Sequence, residues 1–350
     1  MFIISMKGCD TLEYDRLILD GDDSIIRTLF FTDVHITGRN PRSRKDNFLD
    51  TVLDKLSQLS SIEKERNCDF VLFGGDLFDN PSVSDAVSGR CAKVLRTFKK
   101  LIGVAGNHDL FGNNIDNIKS TRLGLFEKAG LIDLLYKGER LLVKKNDLTL
   151  QITGTPSHFG IDEDDIEGDY VVSDVHKDAH KAIHIIHGML MEKSFNPHMK
   201  VVTFDDIIGT RADLTLSGHY HRGFKPVNID GKYFANPGSL SRVSADVSEM
   251  QRKVGALYIE VSKDNINLEF IPLRQKSGDE ILDRSFIEKG KYREVKMEEF
   301  LREIRSTSDI ESADIKSIVR KIATNENLSK DVLEYALTKL SQAEENLSKE

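Results

Sequence analysis

Apolar positions along this chain form short runs that end in glycine or acidic clusters, separated by stretches with apolar residues three and four apart. Ile26–Thr32 is the first clear run and predicts a buried strand. Phe48, Leu49, Val52, Leu53, Leu56 and Leu59 then mark one face of a helix, because a 3.6-residue period returns to the same side at those intervals. Asp69–Phe73 predicts a second strand, and Val87, Cys91, Val94, Leu95 and Phe98 a second helix. Leu101–Ala105 predicts a third strand. Strand–helix–strand alternation of this kind implies parallel pairing with right-handed crossovers, and so an α/β layer fold.

Further strands are expected at 148–153, 182–187, 200–204 and 213–217. Val227–Phe234 reads as a hairpin turning at Asp230-Gly231, since Asp-Gly supplies the positive φ angles of a tight turn. A second hairpin joins Gly255–Val261 to Ile266–Leu273. From about 274 to 350 the pattern is charged and helical, with Ser329 as an N-cap and Val332, Ala336, Leu340, Ala343 and Leu347 on one stripe. Breaks at Ser306–Asp309 and Thr324–Asn327 divide this region into short helices. The expected organisation is therefore an N-terminal extension over 1–25, either a hairpin or a loosely held segment, a core over 26–273, and a helical region over 274–350.

Composition narrows the classes. The chain has 350 residues, 39% hydrophobic and 30% charged, as soluble globular proteins do. No apolar run approaches the roughly 20 residues of a membrane helix, and the acidic N-terminus resembles no targeting peptide. Cys9, Cys68 and Cys91 are scattered without a CxxC pair, which argues against a disulfide framework or a thiolate zinc site. A cytoplasmic setting is expected. The net charge of −8, from 49 basic and 57 acidic residues, is unlike that of a protein holding nucleic acid by its overall charge. Any nucleic-acid role rests on a local basic patch, on metals or on a partner.

Five motifs stand at predicted strand ends: Asp33-Val-His35, Gly74-Gly-Asp-Leu-Phe-Asp79, Gly106-Asn-His-Asp109, His187-Gly188 and Gly218-His-Tyr-His221. Open α/β sheets gather ligands at the carboxyl ends of their strands, so the five converge on one crevice. Carboxylate, imidazole and amide oxygen without thiolate suit Mn²⁺, Fe or Zn²⁺. Asp33 and Asp76 supply about −2 against roughly +4 from two divalent ions, a surplus that attracts a phosphodiester. Taken singly, each motif is also an ordinary turn or helix cap. The ordered set is not.

With these motifs, the sequence resembles the calcineurin-like metallophosphoesterase superfamily over roughly residues 26–273. The resemblance implies a two-layer αββα sandwich, here with a C-terminal helical extension, and two divalent metal ions between its sheets. By position, Asp33, His35 and His221 would bind one ion, and Asn107, His187 and His219 the other. Asp76 would bridge both. His108 matches the catalytic histidine that polarises the phosphate or protonates the leaving oxygen, and Asp109 would orient it. The implied chemistry is in-line hydrolysis by a metal-bridging hydroxide, with Mn²⁺ as the expected metal and Fe or Zn²⁺ as alternatives.

Within that superfamily the chain is most similar to SbcD-type nuclease subunits and phage recombination exonucleases. Gly74–Asp79 followed by Asn80-Pro81, the segment Asn236-Pro-Gly-Ser-Leu-Ser-Arg242, and the C-terminal helices carry this narrower resemblance. It implies a DNA exonuclease or endonuclease of recombination and repair, docked on the coiled coil of an SbcC-like ABC-type ATPase, in host cytoplasm if phage-encoded. Two departures are visible: Asp79 stands where many cellular members have histidine, and the stretch before Ile25 is longer than usual. The basic segment Arg39-Asn-Pro-Arg-Ser-Arg-Lys45 reads either as a DNA-backbone contact through Arg39, Arg42, Arg44 and Lys45, or as a solvated loop. The alternatives are a phosphoesterase acting on small phosphodiesters or phosphoproteins, with the C-terminal helices used for homodimerisation, and a non-catalytic scaffold, which the intact ligand set opposes. His176, His180 and His184 are read as solvated or structural, His158 as near the pocket, and His198 as surface.

Overall fold

The computed structural model describes residues 3–6, 14–194, 199–306, 319–320, 323–324 and 329–347. In chain order its strands are β1 (Ile3–Met6), β2 (Tyr14–Leu19), β3 (Ile26–Phe31), β4 (Phe70–Phe73), β5 (Leu101–Gly103), β6 (Asp133–Leu134), β7 (Arg140–Lys145) and β8 (Leu148–Thr155). They continue with β9 (Lys181–Ile186), β10 (Leu190–Met191), β11 (Val202–Thr203), β12 (Leu214–Ser217), β13 (Phe224–Ile229), β14 (Lys232–Asn236), β15 (Gly255–Val261) and β16 (Ile266–Pro272). The helices are α1 (Phe48–Glu65), α2 (Asp85–Leu95), α3 (Arg122–Lys128), α4 (Ile166–Tyr170), α5 (Val247–Gln251), α6 (Gly278–Ile281), α7 (Ser285–Ser306) and α8 (Lys330–Leu347).

One sheet runs β16-β15-β3-β4-β5-β6, the other β1-β2-β7-β8-β9-β12-β14-β13. The predicted strand–helix alternation gives parallel pairing from β3 through β6, and β15 closes antiparallel on β3. Side chains alternate across a strand, so each inner strand serves two layers. Phe30, Leu72 and Ile102 point between the sheets, where they meet Leu150, Ile183 and Leu216 of the other sheet. Leu29, Phe31, Val71 and Phe73 point the opposite way, onto Val52, Leu56 and Leu59 of α1 and Cys91 of α2. The outer side of the second sheet is covered by Tyr170, Leu190, Val202, Phe204 and Ile207 against Ile186 and Phe234. This is the layered α/β sandwich.

Both expected hairpins form. Asp230 and Gly231 take φ 50° and 84° between β13 and β14, and β15 pairs β16 from Gly255↔Pro272 to Val261↔Ile266. The strand expected over 200–204 shrinks to Val202–Thr203, which pairs, among the described residues, with β10 in a two-stranded sheet. The N-terminal stretch contributes β1, antiparallel to β2, and β2 in turn lies parallel to β7. The chain divides into two compact units, Met1–Arg284 and Ser285–Glu350, the second carrying α7 and α8. Residues 307–310 and 325–328, which hold most of the two predicted helix breaks, lie outside the described residues. Among the described residues, no helix is long and apolar enough to cross a membrane.

Candidate metal centre

The loops that follow β3, β4, β5, β9 and β12 carry the five motifs, and the fold laces them together by backbone. Asp33 N–H donates to Gly75 C=O at 3.0 Å, His35 N–H to Asp76 C=O at 3.0 Å, and Ile36 N–H to Leu77 C=O at 2.9 Å. Asp33, His35, Asp76 and His219 all have positive φ, at 53°, 52°, 56° and 69°. Non-glycine residues adopt this region at a cost, which Asp and His bear more readily than most, and four such residues gathered at one crevice fit the strain that functional sites store. Two glycines let the loops close. A Cβ on Gly75 would lie 2.3 Å from His187 Nδ1, and one on Gly106 would lie 2.1 Å from Asp76 Oδ1.

The ligand-type atoms converge in two overlapping groups. Asp33, His35, Asp76 and His221 place one donor atom each within 4.8 Å of one another, and so do Asp76, His187 and His219. In the first group, the Nε2 atoms of His35 and His221 lie 3.0 Å apart, and Asp33 Oδ1 is 3.4 Å from His221 Nε2. In the second, His187 donates Nδ1–H to the Gly74 carbonyl at 2.7 Å, which turns its Nε2 towards Asn107 Oδ1 at 3.1 Å and Asp76 Oδ2 at 3.3 Å. Asp76 Oδ2 is also 3.6 Å from His35 Nε2, so one oxygen faces an imidazole of each group. That oxygen is buried and takes no hydrogen bond. A buried carboxylate oxygen without a donor is costly unless a cation meets it. These residues fit a pair of divalent ions.

The electrostatics agree. Burial pulls His35 down to about 4, and burial with the nearby His187 does the same to His219, leaving both neutral as ligands must be. Burial also pulls at His187, but Asp76 and Asp33 outweigh it and hold that imidazole up at about 10. Burial opposes ionisation of Asp76 too, yet His187 and His35 hold its carboxyl well below the usual range.

His108 is exposed at the edge of this cluster. Its backbone N–H donates to Asp76 Oδ1 at 2.8 Å and its Nδ1 donates to the Asp79 carbonyl at 2.9 Å, which leaves Nε2 for a substrate. Asp109 does not orient it. The Asp109 carboxylate is fully buried and accepts from the backbone N–H groups of Leu77, Phe78 and Gly106 at 3.2, 3.0 and 3.0 Å. Those bonds tie the second and third motifs together, and burial beside Asp76 raises this carboxyl to about 7.

Arg44 is a second correction. Its side chain has no exposure, pairs with Asp46 at 2.7 Å and donates to the Arg242 carbonyl at 2.9 Å, so it offers nothing to DNA. Arg39, Arg42 and Lys45 are exposed. His184 is buried on β9 between Thr153 Oγ1 and the Asp169 carbonyl, and His158 contacts Asp169 Oδ1 at 3.0 Å. His176 is buried, His180 is exposed, and His198 lies outside the described residues. The sequence reading missed Asp79 as a group beside the ligands: its carboxylate forms a further cluster with His35 and His108. It also missed Asn236, whose buried amide donates to the Tyr220 carbonyl at 3.2 Å and shapes the fifth motif. The Asp79 departure from histidine was the visible signal for the first of these.

Residues 26–223 match the family model described as calcineurin-like phosphoesterase. No curated protein matches the sequence. Among solved structures, a putative 5'-nucleotidase from Staphylococcus aureus is similar at 17% identity and a TM-score of 0.46, covering 73% of this chain and 55% of that one. The calcineurin-like phosphoesterase YfkN from Bacillus subtilis aligns at 16% identity and 0.43, over 80% and 99%. A dimetal phosphatase from Danio rerio aligns at 9% identity and 0.43, over 71% and 97%.

Proposed function

The chain belongs to the calcineurin-like phosphoesterase family, and within it we propose a metal-dependent phosphodiesterase that cleaves DNA, of the SbcD type. The observation that carries the two-ion part is Asp76 Oδ2, buried, without a hydrogen bond, and facing His35 on one side and His187 on the other. Asp33, His35 and His221 would hold one ion and Asn107, His187 and His219 the second, with Asp76 placed to serve both. When bound, the ions, Mn²⁺ by preference, supply Lewis acidity and lower the pKa of water towards roughly 7.

The chain's own residues do the rest. His187 is oriented by the Gly74 carbonyl, as ligand imidazoles commonly are by a partner on their other nitrogen. His108 presents Nε2 to the phosphate; with Nδ1–H on the Asp79 carbonyl, it would donate a hydrogen bond to a non-bridging oxygen, or a proton to the leaving oxygen, as the imidazolium, which becomes neutral on giving that proton up. Asp109 holds the Asp76 and Asn107 loops in register through their backbone N–H groups. The exposed Arg39, Arg42 and Lys45, a few residues beyond His35, support a DNA backbone leading into the crevice. For Ser285–Glu350 the reading is a docking unit for an SbcC-like ATPase. That partner supplies the DNA affinity which a net charge of −8 does not.

The second reading, hydrolysis of small phosphodiesters or phosphoproteins, gains from the burial of Arg44, which removes one cation from the supposed DNA path. End-labelled single- and double-stranded DNA, incubated with the Mn²⁺-loaded full chain with and without the ATPase, separates the two. We expect metal-dependent release of nucleotides, stimulated by the ATPase. Turnover of bis-p-nitrophenyl phosphate with both DNA substrates left intact overturns the nuclease reading.

A further inference from the structure

Behind the crevice, five consecutive backbone carbonyls, Ser239 to Val243, are each held by a side chain from elsewhere in the fold. Arg252 donates Nη1–H to Ser239 C=O at 2.7 Å and Nη2–H to Ser241 C=O at 2.6 Å. Lys55 Nζ, from α1, donates to Leu240 C=O at 2.8 Å. Arg44 holds Arg242 C=O at 2.9 Å, and Ser43 Oγ holds Val243 C=O at 2.6 Å. Two of the three cations have carboxylate partners, Asp46 for Arg44 and Glu249 for Arg252. Lys55 is 1% exposed and, among the described residues, its hydrogen bond is to the Leu240 carbonyl, with no carboxylate partner. Burial, then the charges of Arg44, Arg242 and Arg252 against that of Asp46, pulls its ammonium down to about 7. A buried lysine amine whose described partner is one carbonyl and no carboxylate is expensive to keep, so its retention points to work done by that contact.

The opposite edge of the same segment grips the metal loops. Ser239 N–H donates to His221 C=O at 2.9 Å, Leu240 N–H to Thr32 C=O at 3.0 Å, and Ser239 Oγ–H to Asp33 C=O at 2.7 Å. The residues on either side of this strap therefore include two of the three side chains assigned to one ion. Among the described residues, none of the strap's own bonds reaches Asn107, His187 or His219; the nearest link is indirect, from the His219 backbone N–H to Asp33 Oδ2 at 3.1 Å.

We infer that Lys55, through the strap Ser239–Arg242, is a positioning residue for the Asp33–His35–His221 ion and not for its neighbour. This rests on the two-ion reading of the site. Groups that hydrogen-bond a metal-ligating residue typically change metal affinity about 10–100-fold when removed; Ser239 is such a group, on Asp33 C=O, and Lys55 acts through the strap that carries it. Lys55→Met keeps the length and packing of the side chain and leaves the Leu240 carbonyl without its donor. Ser239→Ala, a smaller change that spares the buried cations, removes the hydroxyl on Asp33 C=O.

The test is calorimetric titration of the metal-free full chain with Mn²⁺, in two backgrounds that each keep one ion: His219→Asn for the Asp33 ion, and His35→Asn for the other. Lys55→Met and Ser239→Ala should each weaken Mn²⁺ binding about 10-fold or more in the first background and leave the second unchanged. Equal weakening in both backgrounds, or none in the first, overturns the inference even where wild type binds two ions. A wild-type chain that binds fewer than two ions overturns the two-ion reading itself, and the inference falls with it.

Discussion

The metal crevice and the loop at 39–45 begin within a few residues of each other after β3, and both are rich in side chains suited to phosphate chemistry. They are built by different rules. In the crevice, every side chain assigned to a metal meets others from distant loops, with His35 and His221 nitrogens 3.0 Å apart across 186 residues of chain. In the loop, four cations look alike in sequence but divide by burial: Arg39, Arg42 and Lys45 face solvent, while Arg44 is enclosed and paired with Asp46. A ligand set identifies itself because several residues must agree. A basic loop carries no such mutual check, and each of its charges is settled by its own surroundings.

Breaking the crevice should have the largest effect. Asp76→Asn removes the charge that both groups share, and we expect loss of at least one Mn²⁺ by elemental analysis together with all measurable turnover. Two retained ions with normal kinetics would contradict the arrangement. The same comparison within the crevice sharpens it: with the role proposed for His108, on the phosphate and not on a metal, His108→Ala should lower kcat by about 10²–10³ while both ions stay. Metal lost in step with activity would move His108 into the ligand set.

The loop effects are smaller and should split. Arg44→Met breaks a buried ion pair and releases the Arg242 carbonyl, and should cost about 2–4 kcal/mol by urea unfolding, near the range for buried pairs. Replacing Arg39, Arg42 and Lys45 together by glutamine should leave stability within roughly 0.5 kcal/mol. It should instead flatten the salt dependence of DNA cleavage, each lost phosphate contact taking about 1 from the log–log slope, with turnover of a small phosphodiester unchanged. A stability loss equal to that of Arg44→Met would mean the loop is one structural unit and not a divided one.

What was legible in the sequence was whatever short spacing encodes. Short apolar runs placed β3, β4 and β5, a 3.6-residue period placed α1 and α2, and Asp230-Gly231 announced its hairpin, because those preferences act between residues a few positions apart. The motifs could be ordered along the chain for the same reason, each sitting where an apolar run stops. Tertiary structure decided what each group touches. Asp76 and Asp109 are both acidic residues in glycine-containing motifs at strand ends, yet one keeps an oxygen open between imidazoles while the other spends its carboxylate on three backbone N–H groups. Lys55 looks like a surface residue of an amphipathic helix until Leu240, 185 residues away, arrives above it. Burial and partner choice are set by such long-range approaches, and they determine whether a charge faces water, a carbonyl or a metal.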